Sequence, residues 1–187
     1  AEEIKNSLKQ EVIEYQKTSD RVPHLAAILV GDNPASKAYV GNKVKSCEQV
    51  GFKSTLIKLP EDVSESELLE EIRKLNENPD IDGFIVQLPL PKHIDENIVK
   101  EAINPAKDVD GFHPVNVGRM VVGQKGFLPC TPHGVVQMLL HSGVKLDGAH
   151  VVIVGRSNIV GKPLANMLIQ KSPTGNATVT VCHTRTK

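Results

Sequence analysis

Apolar runs at Leu25–Val30, Ser54–Leu59, Gly83–Leu88 and Val151–Val154 are each followed by helical periodicity, and this alternation constrains the fold most. Parallel strands need a crossover of a dozen or more residues, usually a helix, whereas antiparallel neighbours need only a short turn. Strand–helix alternation three times before residue 105 therefore predicts a mostly parallel sheet with right-handed crossovers. Thr178–Cys182 completes a second β-α-β after Val151–Val154 and the helix that follows Gly161. The expected fold class is α/β throughout.

Local signals place the helices. Ile4, Leu8, Val12 and Tyr15 recur at helical spacing and predict a helix over 2–17. Asp32-Asn33-Pro34 supplies cap and first-turn residues for a helix ending near Gly51. Ser64-Glu65-Ser66-Glu67 is a capping box that launches a helix to about Asn76, and another runs from Asp95 to Ile103. From Pro105 to Pro132 glycines and prolines dominate, which predicts loops and a hairpin. Pro132 to His141 reads as a helix leading into the second unit.

The turn after Val154 carries chemistry. Gly155-Arg156-Ser157-Asn158-Ile159-Val160-Gly161 stands between a β-branched strand and a helix start, where backbone N–H groups can hold phosphates. The usual dinucleotide fingerprint has three glycines; here Ser157 replaces the second and Gly161 comes late. After the next strand an NAD site commonly places a carboxylate, but His183-Thr184-Arg185 stands there. Arg156 and Arg185 suit a 2′-phosphate, which favours NADP. The plainer reading is a β-α turn with solvated arginines.

Ser36, Tyr39 and Lys43 are three and four residues apart and share one helix face, beside the apolar Val40, Val44 and Cys47. A lysine beside a tyrosine in a partly dry cleft can exchange protons near neutrality, although Tyr-x-x-x-Lys also occurs on ordinary helix surfaces. Gln87 ends the apolar Phe84-Ile85-Val86 run, either as a strand-end group bonded to backbone or as a ligand contact. In Lys107-Asp108-Val109-Asp110-Gly111 the carboxylates serve an Asx-type turn, or Asp110 accepts hydrogen bonds from a heterocycle. Pro129-Cys130-Thr131-Pro132 is a stiff segment suited to a pocket wall, and Cys130 has no activating partner in sequence.

Composition excludes other classes. Lys plus Arg and Asp plus Glu both number 22, so no net field recruits nucleic acid or an anionic membrane. The 3 cysteines form no CxxC pair and the 7 histidines show no metal-ligand spacing, so no metal is expected. No apolar run approaches the roughly 20 residues of a membrane span, and the opening has no signal-peptide pattern. A cytoplasmic protein is expected, with an organelle matrix as the other reducing compartment.

Five segments occur together and in order: Ser36-x-x-Tyr39-x-x-x-Lys43, Val86-Gln87-Leu88-Pro89-Leu90-Pro91, Lys107-Asp108-Val109-Asp110-Gly111, Pro129-Cys130-Thr131-Pro132-x-Gly134 and Gly155-Arg156-Ser157-x-Ile159-Val160-Gly161-x-Pro163. As a set they resemble the bifunctional methylenetetrahydrofolate dehydrogenase/methenyltetrahydrofolate cyclohydrolase family. The resemblance implies a homodimer of two-domain α/β subunits with a folate cleft between the domains. A folate-binding catalytic domain over 1–131 would precede the N-terminal part of a Rossmann-type NADP-binding domain over 132–187. Family members continue well past this point, so a truncated Rossmann domain is expected.

The same resemblance assigns roles. Lys43 would be the catalytic lysine, Tyr39 would pack on the folate, Gln87 would bond Lys43, and Asp110 would grip the pterin. Ser36 and Leu88 would complete the substrate site. Gly155, Arg156, Ser157, Ile159, Gly161 and Thr184 would hold NADP. The implied chemistry is oxidation of 5,10-methylenetetrahydrofolate, then hydrolysis of the methenyl product to 10-formyltetrahydrofolate. Two other readings stand beside it: a truncated folate- or nucleotide-binding module, and another two-domain NADP oxidoreductase of shikimate type.

Overall fold

A computed structural model describes residues 2–187; Ala1, the first residue of the expected folate domain, lies outside the described residues. The chain divides into two compact units, one ending at Lys107 and the other running Asp108–Lys187.

In the first unit, strands β1 (His24–Val30), β2 (Lys53–Leu59) and β3 (Gly83–Val86) pair in parallel in the order β2-β1-β3. The register runs from His24↔Lys53 to Val30↔Leu59 on one side of β1 and Leu25↔Gly83 to Ile28↔Val86 on the other. Central β1 is buried along nearly its whole length, which explains its unbroken apolar sequence. Ala26, Ile28 and Val30 pack with Leu68, Ile72 and Leu75 of α3 (Glu65–Glu77) and Val99 of α4 (Glu96–Ala102). Helix α2 (Pro34–Val50) packs on β1 and β2 and buries Val40, Cys47 and Val50. Helix α1 (Glu2–Gln16) lies on α2, and of its periodic apolar residues Val12 is buried while Ile4, Leu8 and Tyr15 are exposed.

The expected caps are in place. The Asn33 side chain accepts from the N–H groups of Ala35 and Ser36, and both bonds of the Ser64–Glu67 capping box form. Ser64 bonding holds the Glu67 carboxyl below its ordinary pKa. At the other end of α3, Lys107 Nζ donates to the carbonyls of Leu75 at 2.9 Å and Asn78 at 2.7 Å. Those carbonyls lie where a helix runs out of intrahelical partners, so the cation is structural. Burial pushes the Lys107 amine below its usual pKa.

In the second unit, β4 (His150–Val154) and β5 (Thr178–Cys182) pair in parallel, joined by α7 (Gly161–Ile169). Ile153 packs with Met167, Leu168 and Val136 of α6 (Cys130–His141), while Val152 and Val154 face outward and are exposed.

Three expectations need correction. The hairpin between Pro105 and Pro132 is absent among the described residues; helix α5 (Pro114–Val121) stands there instead. Its start signal was His113-Pro114: the His113 ring accepts from the Val115 N–H at 3.0 Å and Pro114 opens the first turn. The β-branched residues and Gly118 had masked it. Helix α6 begins at Cys130 rather than Pro132, so the stiff segment is its first turn. Strand β3 stops at Val86, one residue before Gln87.

Candidate active site

The lysine stripe forms as the spacing requires. Lys43 Nζ stands 5.6 Å from the centroid of the Tyr39 ring, one turn earlier on α2. Ser36, a further turn back, is buried, Tyr39 is 60% exposed, and Lys43 is half-buried. The stripe thus runs from a buried hydroxyl to a reachable amine. Lys43 makes no hydrogen bond or ion pair among the described residues, and the expected bond from Gln87 is not formed.

Gln87 follows β3 at the carboxyl edge of the sheet, where open α/β sheets bind ligands. Its backbone N–H donates to Ile28 O at 2.9 Å, extending the ladder by one residue. Its side-chain Nε2 donates to Leu88 O at 2.7 Å. The other end of the amide, Oε1, is buried and has no partner among the described residues. A buried acceptor left unmatched costs about 1–3 kcal/mol, so a donor brought to it answers a real deficit. Leu88 is half-buried beside it and precedes a cis peptide to Pro89. A recess of about 390 Å³ at the same edge is lined by Gly31, Asn33, Glu61 and Pro89–Pro91. Asp32 also lines it, and neither Lys43 nor Gln87 does.

In the second unit the two aspartates of the acidic turn separate in role. Asp108 is buried, and its Oδ2 accepts from His113 N–H at 2.8 Å and Asn116 Nδ2 at 2.9 Å. It is the Asx-type anchor that ties the turn to α5. Asp110, half-buried, follows two residues later. Gly111 takes φ +67°, and a Cβ there would meet Leu128 C at 2.8 Å and Pro129 N at 2.9 Å. Asn116 escaped the sequence reading because α5 did; the His113-Pro114 start signal would have placed it one turn on.

The glycine turn between β4 and α7 leaves its backbone open. Gly155 takes φ +129°, open to glycine alone, and the space where its Cβ would stand is empty. The backbone is therefore approachable by a ligand. Ser157 Oγ accepts from the N–H groups of Val160 at 3.1 Å and Gly161 at 3.3 Å. A hydroxyl that accepts twice still has its own proton to donate, and no acceptor takes it among the described residues. Arg156 and Ile159 are exposed on the same turn. Thr184 and Arg185 lie exposed in a tight turn after β5, closed by Thr186 N–H to His183 O at 2.8 Å.

Known proteins match this chain over both units. The profile "Tetrahydrofolate dehydrogenase/cyclohydrolase, catalytic domain" covers residues 1–110, and the "NAD(P)-binding domain" profile of the same name covers 129–187. The "Bifunctional protein FolD" of Dehalococcoides mccartyi is 56% identical over 184 residues, 98% of this chain and 62% of the relative. A crystal structure of the bifunctional FolD enzyme from Campylobacter jejuni superposes with TM-score 0.92 at 48% identity, covering 99% of this chain and 64% of that one. The Trypanosoma brucei dehydrogenase-cyclohydrolase, solved with NADP cofactor and inhibitor, gives TM-score 0.91 at 36% identity over 99% of this chain and 62% of that one. The chain thus spans under two thirds of the length of these relatives. On the fold, the five ordered segments and the two profile matches, the chain belongs to the tetrahydrofolate dehydrogenase/cyclohydrolase family.

Proposed function

We propose that this chain acts on one-carbon derivatives of tetrahydrofolate, oxidising 5,10-methylenetetrahydrofolate with NADP⁺ and hydrolysing the methenyl product to 10-formyltetrahydrofolate. Family membership supports the reaction class. The observation that carries the reading in this molecule is the buried, unpartnered Oε1 of Gln87 beside Leu88. Residues 1–131 would serve the folate and 132–187 the cofactor, a division in keeping with the two profile matches.

In the hydrolytic step, Lys43 as a neutral amine takes a proton from the water whose oxygen bonds to the methenyl carbon. A charged amine would repel the cationic substrate, so the neutral form is the working one. Collapse of the adduct breaks the carbon–N5 bond. One water proton ends on N5 and the other is released, which balances the conversion to the 10-formyl product. With folate bound, Gln87 Oε1, which has no partner among the described residues, would accept from the Lys43 amine and hold it toward the water. Tyr39 packs on the folate, Asp110 accepts from the pterin N–H groups, and Ser36 and Leu88 shape the substrate site.

Gly155, Arg156, Ser157, Ile159, Gly161 and Thr184 would hold NADP. The open backbone at Gly155 and the undonated Ser157 proton fit its phosphates, and Arg156 suits the 2′-phosphate. When bound, NADP⁺ supplies the hydride acceptor for the oxidation. A homodimer in the cytoplasm, binding neither nucleic acid nor membrane, completes the reading; among the described residues no helix is long and apolar enough to cross a membrane.

Assays with methylenetetrahydrofolate plus NADP⁺, and with methenyltetrahydrofolate alone, test the two activities separately. Lys43→Ala is expected to lose hydrolysis about 10²-fold or more while retaining folate binding. Equal turnover in Lys43→Ala would remove Lys43 from the reaction, and binding without turnover in the parent chain would replace the enzyme with a binding module.

A further inference from the structure

The second unit carries a thiol that the proposed reaction leaves unused. Cys130 is an exposed thiol in no disulfide and the first residue of α6. Its Sγ lies 3.7 Å from Val109 O and 3.9 Å from Asp110 Oδ1, two acceptors on successive residues of one turn. The backbone around them is locked. Gly111 abuts the Leu128–Pro129 peptide so closely that no Cβ fits, Pro129 is fully buried, and Asp108 is tied to His113 and Asn116. The 109–111 turn and the 128–130 segment therefore hold one mutual geometry, and the Asp110 side chain extends from that frame. Cys130 Sγ stands against that side chain.

We propose that Cys130 is a positioning residue for Asp110: its S–H, shared between the Val109 carbonyl and the Asp110 carboxylate, holds the carboxylate in one rotamer for the folate. The inference rests on the reading above in which Asp110 grips the pterin. The thiol's role is to donate, so it works protonated and takes no covalent part. A single S–H···O contact is weak, and its removal loosens ligand binding by a small factor rather than abolishing it. The carboxylate in turn disfavours the thiolate, against the pull of the α6 N-terminus that would promote it.

Calorimetric affinity for 10-formyltetrahydrofolate tests this in Cys130→Ala, Cys130→Ser, Asp110→Ala and the Cys130→Ala/Asp110→Ala pair, beside iodoacetamide labelling of Cys130 at pH 7 followed by peptide mass. Cys130→Ala is expected to weaken binding about two- to five-fold, Cys130→Ser to recover part of that loss, and Cys130→Ala to add nothing once Asp110 is alanine. Asp110→Asn is expected to quicken labelling of Cys130 several-fold, because it removes the carboxylate charge from beside the thiol. Parent-like affinity in Cys130→Ala, losses that multiply in the double variant, or labelling indifferent to Asp110→Asn would each overturn the proposal. If Asp110→Ala binds as tightly as the parent, the pterin reading falls first and takes this one with it; if Asp110→Ala binds weakly and Cys130→Ala does not, positioning alone is refuted.

Discussion

Gly161 approaches Gly155 so closely that a Cβ on Gly161 would stand 2.3 Å from the Gly155 carbonyl oxygen. The first turn of α7 thereby sits directly on the end of β4, and the loop between them is pressed into the shape that leaves Gly155 open. Late in sequence as it is, this second glycine lets helix and strand pack closely, as the third glycine does in dinucleotide turns elsewhere.

Gly161→Ala should therefore cost about 1–3 kcal/mol of stability in urea unfolding, since the obstructing atoms are backbone and cannot swing aside. NADP affinity should fall with it. Unchanged stability would mean that β4 and α7 part easily, contrary to the contact seen.

Gln87→Met separates stability from chemistry. The substitution removes an acceptor that the fold leaves unpaired and one bond to Leu88 O, so the loss in stability should stay near 1 kcal/mol. Methenyl hydrolysis should fall by about 10²-fold, as for a removed acid–base partner. Hydrolysis at the parent rate would exclude Gln87 from the reaction.

Arg156→Ala probes cofactor choice. Arg156 is exposed and makes no ion pair among the described residues, so folding should not notice its loss. A charge-assisted bond to a 2′-phosphate is worth about 1.5–3 kcal/mol, which predicts NADP binding weaker by about 10- to 100-fold and NAD binding little changed. Titration of both dinucleotides checks this; equal losses for the two would place Arg156 away from the 2′-phosphate.

Ser64→Ala removes the α3 capping box and should cost about 1 kcal/mol near neutral pH. The Glu67 carboxyl is held below its ordinary value of 4.5, chiefly by the Ser64 hydroxyl. Its contribution is therefore complete above that value and lost as pH falls through the lower folded one. The gap between parent and Ser64→Ala should narrow in acid, as urea unfolding at several pH values would reveal. A gap that widened in acid would contradict the bonding.

Much of this was legible in the residues because the signals are local. Period-two and unbroken apolar runs mark β1 to β5, and Asn33, Ser64 and Asp95 announce their helices by side-chain bonds made within three residues. The five segments identified the family because each is short and keeps its order along the chain. Helix α5 was missed for the opposite reason. Val115, Val117, Val121 and Gly118 are poor helix formers, and the helix persists because Met120 and Asn116 are buried by neighbours distant in sequence or bonded to the turn before it.

Residue types and spacing alone therefore settled an α/β chain with a parallel sheet, a glycine turn between β4 and α7 and a lysine one helical turn from a tyrosine, since each follows from bonds between near neighbours. Folding in three dimensions was needed to divide Asp108, the buried anchor, from Asp110, the half-buried acid of the same turn; to leave Gln87 Oε1 without a partner among the described residues; and to set Cys130 against Asp110. Those outcomes depend on which backbone segments arrive side by side, and burial between distant segments leaves no periodic mark in a linear sequence.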